Sequence, residues 1–244
     1  MISAPKKQSG LFCMRLAKIT TLVYSIKMSQ MELFESPPPT PAAEPAFMVP
    51  ADLFELSVDA FYAAVCANMS ELPIRQEISR FIEKVGAAGN REEAARIACD
   101  RGDPDARAVL RAAGKVQTEI HRLTGFLRFS PDARGAYVAT CEPDYFILPA
   151  LAEHFTIRFG ETPWAIIDER RRLCLSRNGG GEAQIMPVSA DTAAPETAAS
   201  TEAAASIESL WRLYHRSICN EARKNPALQR QLMPKRYHKH LVEL

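Results

Sequence analysis

The sequence predicts an α+β protein: a helical N-terminal half, then an antiparallel sheet covered by helices, with a basic helical C-terminal tail. Three observations carry that expectation. Apolar residues recur at helical spacing within 52–123. Beyond residue 125 the period changes to two. From about 203 the helical period returns, and positive charge gathers with it. The implied organisation is an extension and Pro-rich linker over 1–50, a helical region over 51–124, and an α+β domain over 125–244 with a low-complexity loop at 189–205.

Taken in order, residues 1–27 carry Lys6 and Lys7 and then an apolar run to Ile26. The run is interrupted by Arg15 and Lys18 and followed by no small-x-small cleavage site, so neither a secretory leader nor a bilayer span is expected. Met28 and Met31 offer alternative starts to Met1. Six prolines in 36–50 make an extended, polyproline-like linker unable to build a core. Helices are expected at roughly 56–68 and 74–85, and most clearly at 106–123, where Val109, Ala112, Ala113, Val116, Ile120 and Leu123 share a face. Asp103-Pro104 before it fits an Asp N-cap with proline at the first helical position.

Phe126–Phe129 and Tyr137–Cys141 alternate around a turn-rich segment and read as one hairpin; Trp164–Ile167 and Arg172–Leu175 read as a second. A helix around 148–159 lies between them, with Leu151, Ala152, Phe155 and Phe159 inward and Gly160 as C-cap. Ile185–Val188 adds a fifth strand, which Pro187 confines to an edge. The last long helix, about 203–222, places Ile207, Leu210, Trp211, Tyr214 and Ile218 on one stripe. Asn225-Pro226 then caps a short helix, and Met233-Pro234 ends it.

With 47% hydrophobic and 24% charged residues the composition is that of an ordinary globular chain. The six cysteines lie far apart with no C-x-x-C, which argues against zinc or iron–sulfur sites and a disulfide framework, and for reduced thiols in a cytoplasmic protein. No cofactor, metal or membrane partner is expected.

The charge is distributed unevenly. The chain is +1 overall, yet the segment from Ile207 holds eight Lys/Arg against three Asp/Glu. Such a concentration faces a polyanion or an acidic partner, or else forms a solvated helix face. Arg223, Lys224, Arg230, Lys235, Arg236 and Lys239 are the candidate phosphate contacts, and Tyr237 the candidate for stacking on a base. On a strand, Arg170 and Arg172 would share a face and suit phosphate contacts or edge protection equally. His121, His154 and Asp168 are the acid–base candidates, with Glu153 and Asp144 less favoured. No P-loop, nucleophile elbow, dinucleotide fingerprint or radical-SAM cysteine triplet is present.

Four segments together resemble a known family: His121–Phe129, Glu142–Phe159, Pro163–Arg171 and Arg223–Tyr237. They are similar to a bacterial family labelled "probable DNA metabolism protein", of unsettled activity. Its gene neighbours that of a radical-SAM protein linked to DNA modification or repair. The same C-terminal domain also occurs fused to uracil-DNA glycosylase-like proteins. At 238 this chain has His where relatives carry Trp after the Tyr. The resemblance implies a DNA-binding accessory protein beside a radical-SAM partner. The alternatives are an enzyme on nucleic acid using the His and Asp candidates, and a protein–protein adaptor. Gln30-Met31-Glu32-Leu33-Phe34 is also similar to a sliding-clamp-binding peptide, with Leu33 and Phe34 for an apolar pocket and Gln30 for a hydrogen bond.

Overall fold

A computed structural model of the chain describes residues 48–188 and 202–242, without the side chains of 202–204 and Arg230. The clamp-like residues Gln30, Leu33 and Phe34, the linker up to 47 and most of the low-complexity segment lie outside the described residues. The chain divides into two compact units. The first comprises the described residues through Glu119 together with Asp144–Pro149, and the second comprises Ile120–Pro143 and the described residues from Ala150 onward.

The first unit is helical. Its elements are α1 (Asp52–Leu56), α2 (Val58–Met69), α3 (Arg75–Gly86), α4 (Arg91–Ala98) and the greater part of α5 (Pro104–Phe126). Caps fix the boundaries: Ser57 accepts from the Ala60 amide, Asn90 from Glu93, and Asp103 from Ala106, the last at 2.9 Å as the Asp-Pro pair foretold. Alanines let α2 bury Ala60, Ala63, Ala64 and Ala67 at close approach, while Phe61, Ile78, Phe81, Val85, Val109 and Val116 fill the core. Val49 is buried as well, so the Pro-rich linker ends before this residue rather than at 50. The helices α1 and α4 fall within the expected helical region over 51–124 but were not singled out in it. They are short, and α4 buries only Ala94 and Ala98, which give little apolar periodicity. A buried carboxylate, Glu119, accepts from the Asp144 and Tyr145 amides at 2.9 Å each, and Phe146 N–H donates to Met69. These bonds tie Asp144–Pro149 into this unit.

The second unit holds a five-stranded sheet in the order β1 (Ser130–Pro131), β2 (Tyr137–Cys141), β3 (Trp164–Asp168), β4 (Leu173–Arg177) and β5 (Gln184–Pro187). The α+β class stands, but one junction differs from the expected antiparallel sheet: β2 and β3 are parallel. The cause is α6 (Leu148–Phe159), a crossover helix between them that returns the chain to the same end of the sheet. The expected strand at 126–129 is another correction. Helix α5 continues through Phe126, and Leu127 N–H still bonds to the Leu123 carbonyl, so helical continuation overrides the short alternation there. Only Ser130 and Pro131 pair with β2.

Burial alternates along β3 and β4, placing Trp164, Ile166 and Asp168 on one face with Leu173, Leu175 and Arg177. Phe155 of α6 packs on Trp164 with ring centroids 6.1 Å apart, and Gly160 ends α6 at φ +56°, a conformation suited to glycine. Beyond the sheet come α7 (Glu202–Ile218), a 3-10 turn (Glu221–Arg223), α8 (Pro226–Leu232) capped by Asn225, and a second 3-10 turn (Lys235–His240). Ile207 and Trp211 are half-buried, but Leu210, Leu213, Tyr214 and Ile218 are exposed. The apolar stripe of α7 is therefore only partly covered.

Candidate nucleic-acid interface

The parallel register pairs Cys141 with Asp168, so Glu142 and Glu169 leave the same end of the sheet as neighbours. The C-terminal 3-10 turn docks there. Lys239 Nζ donates to Glu142 Oε1 at 2.5 Å and to Glu169 Oε2 at 2.8 Å. His240 Nδ1 lies 3.1 Å from Thr140 Oγ1, and its Nε2 lies 3.9 Å from Glu169. Tyr237 and Leu241 are buried on either side, with the Tyr237 ring 5.5 Å from Phe126 and the Arg236 guanidinium 4.9 Å over it. The two carboxylates hold Lys239 well above the usual lysine range, and Lys239 in turn holds Glu142 below the usual carboxylate range. Burial pushes His240 down.

Glu142, Glu169 and His240 each offer a ligand atom within 4.8 Å of the others, a donor set with the chemistry for a cation. The Lys239 ammonium already bridges both carboxylates, so the cluster works as a clasp fastening the chain end to the sheet. Two residues named for nucleic-acid contact thus do something else. Tyr237 has no ring face for a base, and Lys239 is committed to two carboxylates.

The other basic candidates divide by exposure. Arg223, Lys235 and Arg236 are exposed, as are Arg212 and Arg216 on α7. Lys224 is exposed but paired with Glu221 at 2.6 Å. Arg230 lies on α8, and its side chain is outside the described residues. Arg170 and Arg172 are exposed on the tight turn between β3 and β4, not on a strand, so they do not share a strand face. Arg172 takes the left-handed conformation at φ +53°, which closes that turn.

The acid–base candidates are not gathered. His121 is exposed on α5; His154 is exposed on α6 with its ring against Phe155. Asp168 is fully buried, accepting from the Arg171 amide and from Arg171 Nη1, both at 3.0 Å, while the same Nη1 donates to the Pro143 carbonyl. Burial raises the Asp168 carboxyl against the opposing pull of Arg171. Glu153 and Asp144 are half-buried, and the Asp144 amide donates to Glu119 in the first unit.

One feature of the second unit was missed entirely by sequence reasoning. A cleft of about 320 Å³ opens between the end of α5, β2, α6 and α7. Half-buried Phe129, Tyr137, Phe159 and Trp211 line it, with Arg128 and Arg158 among its cationic members. Arg128 lies 4.5 Å over the Trp211 ring and donates to the Gly125 carbonyl at 2.8 Å. These residues come from four separated segments. The one sequence signal for them was Trp211, an aromatic on the helical stripe.

A family model described as a domain of unknown function, DUF4130, matches residues 75–243, more than half of the sequence. The chain belongs to the DUF4130 family. The DUF4130 match takes in all four segments on which the resemblance rested, and fits a family without settled activity. It begins at Arg75, the first residue of α3, so α1 and α2 lie outside it. No curated protein and no solved structure matches the chain.

Proposed function

We propose that this protein is a cytoplasmic nucleic-acid-binding accessory factor in DNA metabolism, working beside a radical-SAM enzyme that supplies the redox chemistry. One observation carries the reading: the C-terminal segment keeps Arg216, Arg223, Lys235 and Arg236 exposed while Lys239 anchors it to the sheet. Anchored and exposed cations neutralise phosphates and release counterions. The family resemblance supplies the DNA context. No helix among the described residues is long and apolar enough to cross a membrane.

The enzyme alternative gains nothing from His121, His154 and Asp168, since two are exposed on separate helices and the third is sealed behind Arg171. The adaptor alternative draws support from one feature, the exposed Leu210, Leu213, Tyr214 and Ile218 of α7. A partner protein on that face is compatible with DNA on the cations. Binding of the full chain to duplex and single-stranded DNA at about 50 and 200 mM salt tests the leading reading. Affinity that falls steeply with salt is expected; affinity indifferent to salt, or absent, refutes it.

A further inference from the structure

Helix α7 carries rows of side chains that step by four residues, and the rows meet different surroundings. Ile207, Trp211 and His215 form the inner row; all three are half-buried, and Ile207 and Trp211 line the cleft of the second unit. Leu210, Tyr214 and Ile218 form the row beside it, and each is half or more exposed. The face turned away from the inner row holds Ser209 and Ser217, whose hydroxyls bond back to the Ser206 and Tyr214 carbonyls at 2.8 Å, with Leu213 and Arg216. Three large apolar side chains in register make a continuous surface that water covers at a cost.

The surroundings of that row are cationic. Between Leu210 and Arg236 the sequence has seven Lys/Arg and a single carboxylate, Glu221, which pairs with Lys224 at 2.6 Å. Arg216 is exposed one helical turn from Leu213, and Arg223 is exposed just past the helix end. The apolar row and the charge together select the occupant. Nucleic acid meets the cations through its phosphates but sets no aliphatic surface against Leu210 and Ile218. A second copy brings two segments of the same sign together, which like-charge repulsion opposes. A flat anionic bilayer first meets the serine-bearing outer face, because the apolar row lies round the side of the helix. A narrow helix with an apolar stripe and carboxylates beside it answers both features.

We infer that α7 docks an acidic amphipathic helix of a partner protein, whose apolar side chains cover Leu210, Tyr214 and Ile218 and whose carboxylates face Arg216 and Arg223. The assignment goes beyond the nucleic-acid reading and does not rest on it.

The test uses the full chain with a fluorescently labelled peptide of about five helical turns, leucine at i, i+4 spacing and glutamate on the flanks. Its controls are the same peptide with lysine for every glutamate and a scrambled acidic peptide. Wild type should bind the acidic amphipathic peptide about tenfold or more tightly than either control. Leu210→Ser combined with Ile218→Ser, both at exposed positions, should remove that preference and leave the salt dependence of DNA binding unchanged. Arg216→Glu should weaken the acidic peptide and strengthen the lysine one. No binding of the acidic peptide, or equal binding of it and its scrambled form, overturns the docking assignment; the nucleic-acid reading stands or falls by its own DNA titration. Two other results also overturn it. Sedimentation with phosphatidylglycerol vesicles that the double serine variant loses assigns the row to a bilayer. A concentration-dependent dimer that the same variant loses assigns it to a second copy.

Discussion

At the scale of single residues, buried and paired charges do structural work in this protein. Glu119 is 1% exposed and satisfies two backbone amides of the segment after β2. Glu119→Ala leaves both without a partner and should cost about 2–4 kcal/mol in chemical denaturation, with Glu119→Gln, which keeps one acceptor oxygen, intermediate. The clasp around Lys239 has a definite pH sign. Glu142 has a depressed pKa when folded, so its contribution is complete above the ordinary carboxylate range and is lost as pH falls through the folded value. His240 is also depressed, so the unfolded chain binds its proton first and stability again falls on acidification. Amide exchange over 235–242, corrected for intrinsic rate, should therefore accelerate as pH falls from 7 towards 4. Lys239→Ala should already exchange fast at pH 7. In the first unit Asp105, bonded by Arg80 and Lys84, is held down to about 2, so that ion cluster persists well below pH 4 and is lost only as pH approaches 2.

At the scale of elements, what is legible in a sequence is what is settled locally. The expected bounds of α6 match the structure because its inward residues, Leu148, Leu151 and Phe155, fall at helical spacing and Gly160 stops it. Strands β2 to β5 were readable from alternation and from Pro187 at the edge. The parallel β2–β3 junction was not, since pairing direction belongs to the crossover and not to either strand's residues. Phe126–Phe129 failed for a related reason: four alternating residues weigh less than a long helix already in progress. The cleft was illegible because its lining is assembled by folding from five separated segments. Helix α7 shows how far a stripe can mislead, with Leu210 61% and Ile218 59% exposed although both lie on the expected apolar stripe. Leu213→Glu should change stability by less than about 0.5 kcal/mol in thermal melts. Phe155→Ala, in the sheet core at 1% exposure, should cost about 3–5 kcal/mol by the same measurement.

At the scale of the whole molecule, charge is used in two ways. Lys239 is spent on holding the chain end against the sheet, and neighbours along the same segment stay in solvent. The family and the four matched segments could be read from sequence; that Lys239 is committed to the sheet while its neighbours stay exposed could not, because Glu142 and Glu169 lie 97 and 70 residues away from Lys239. The measurement that decides the central claim is the salt dependence of DNA affinity for the full chain and for the combined variant Arg223→Ala, Lys235→Ala, Arg236→Ala. A steep negative slope of log K against log salt in wild type, reduced by about two to three in the variant, is the predicted result. An identical slope in both proteins, or no DNA binding by wild type, would contradict it.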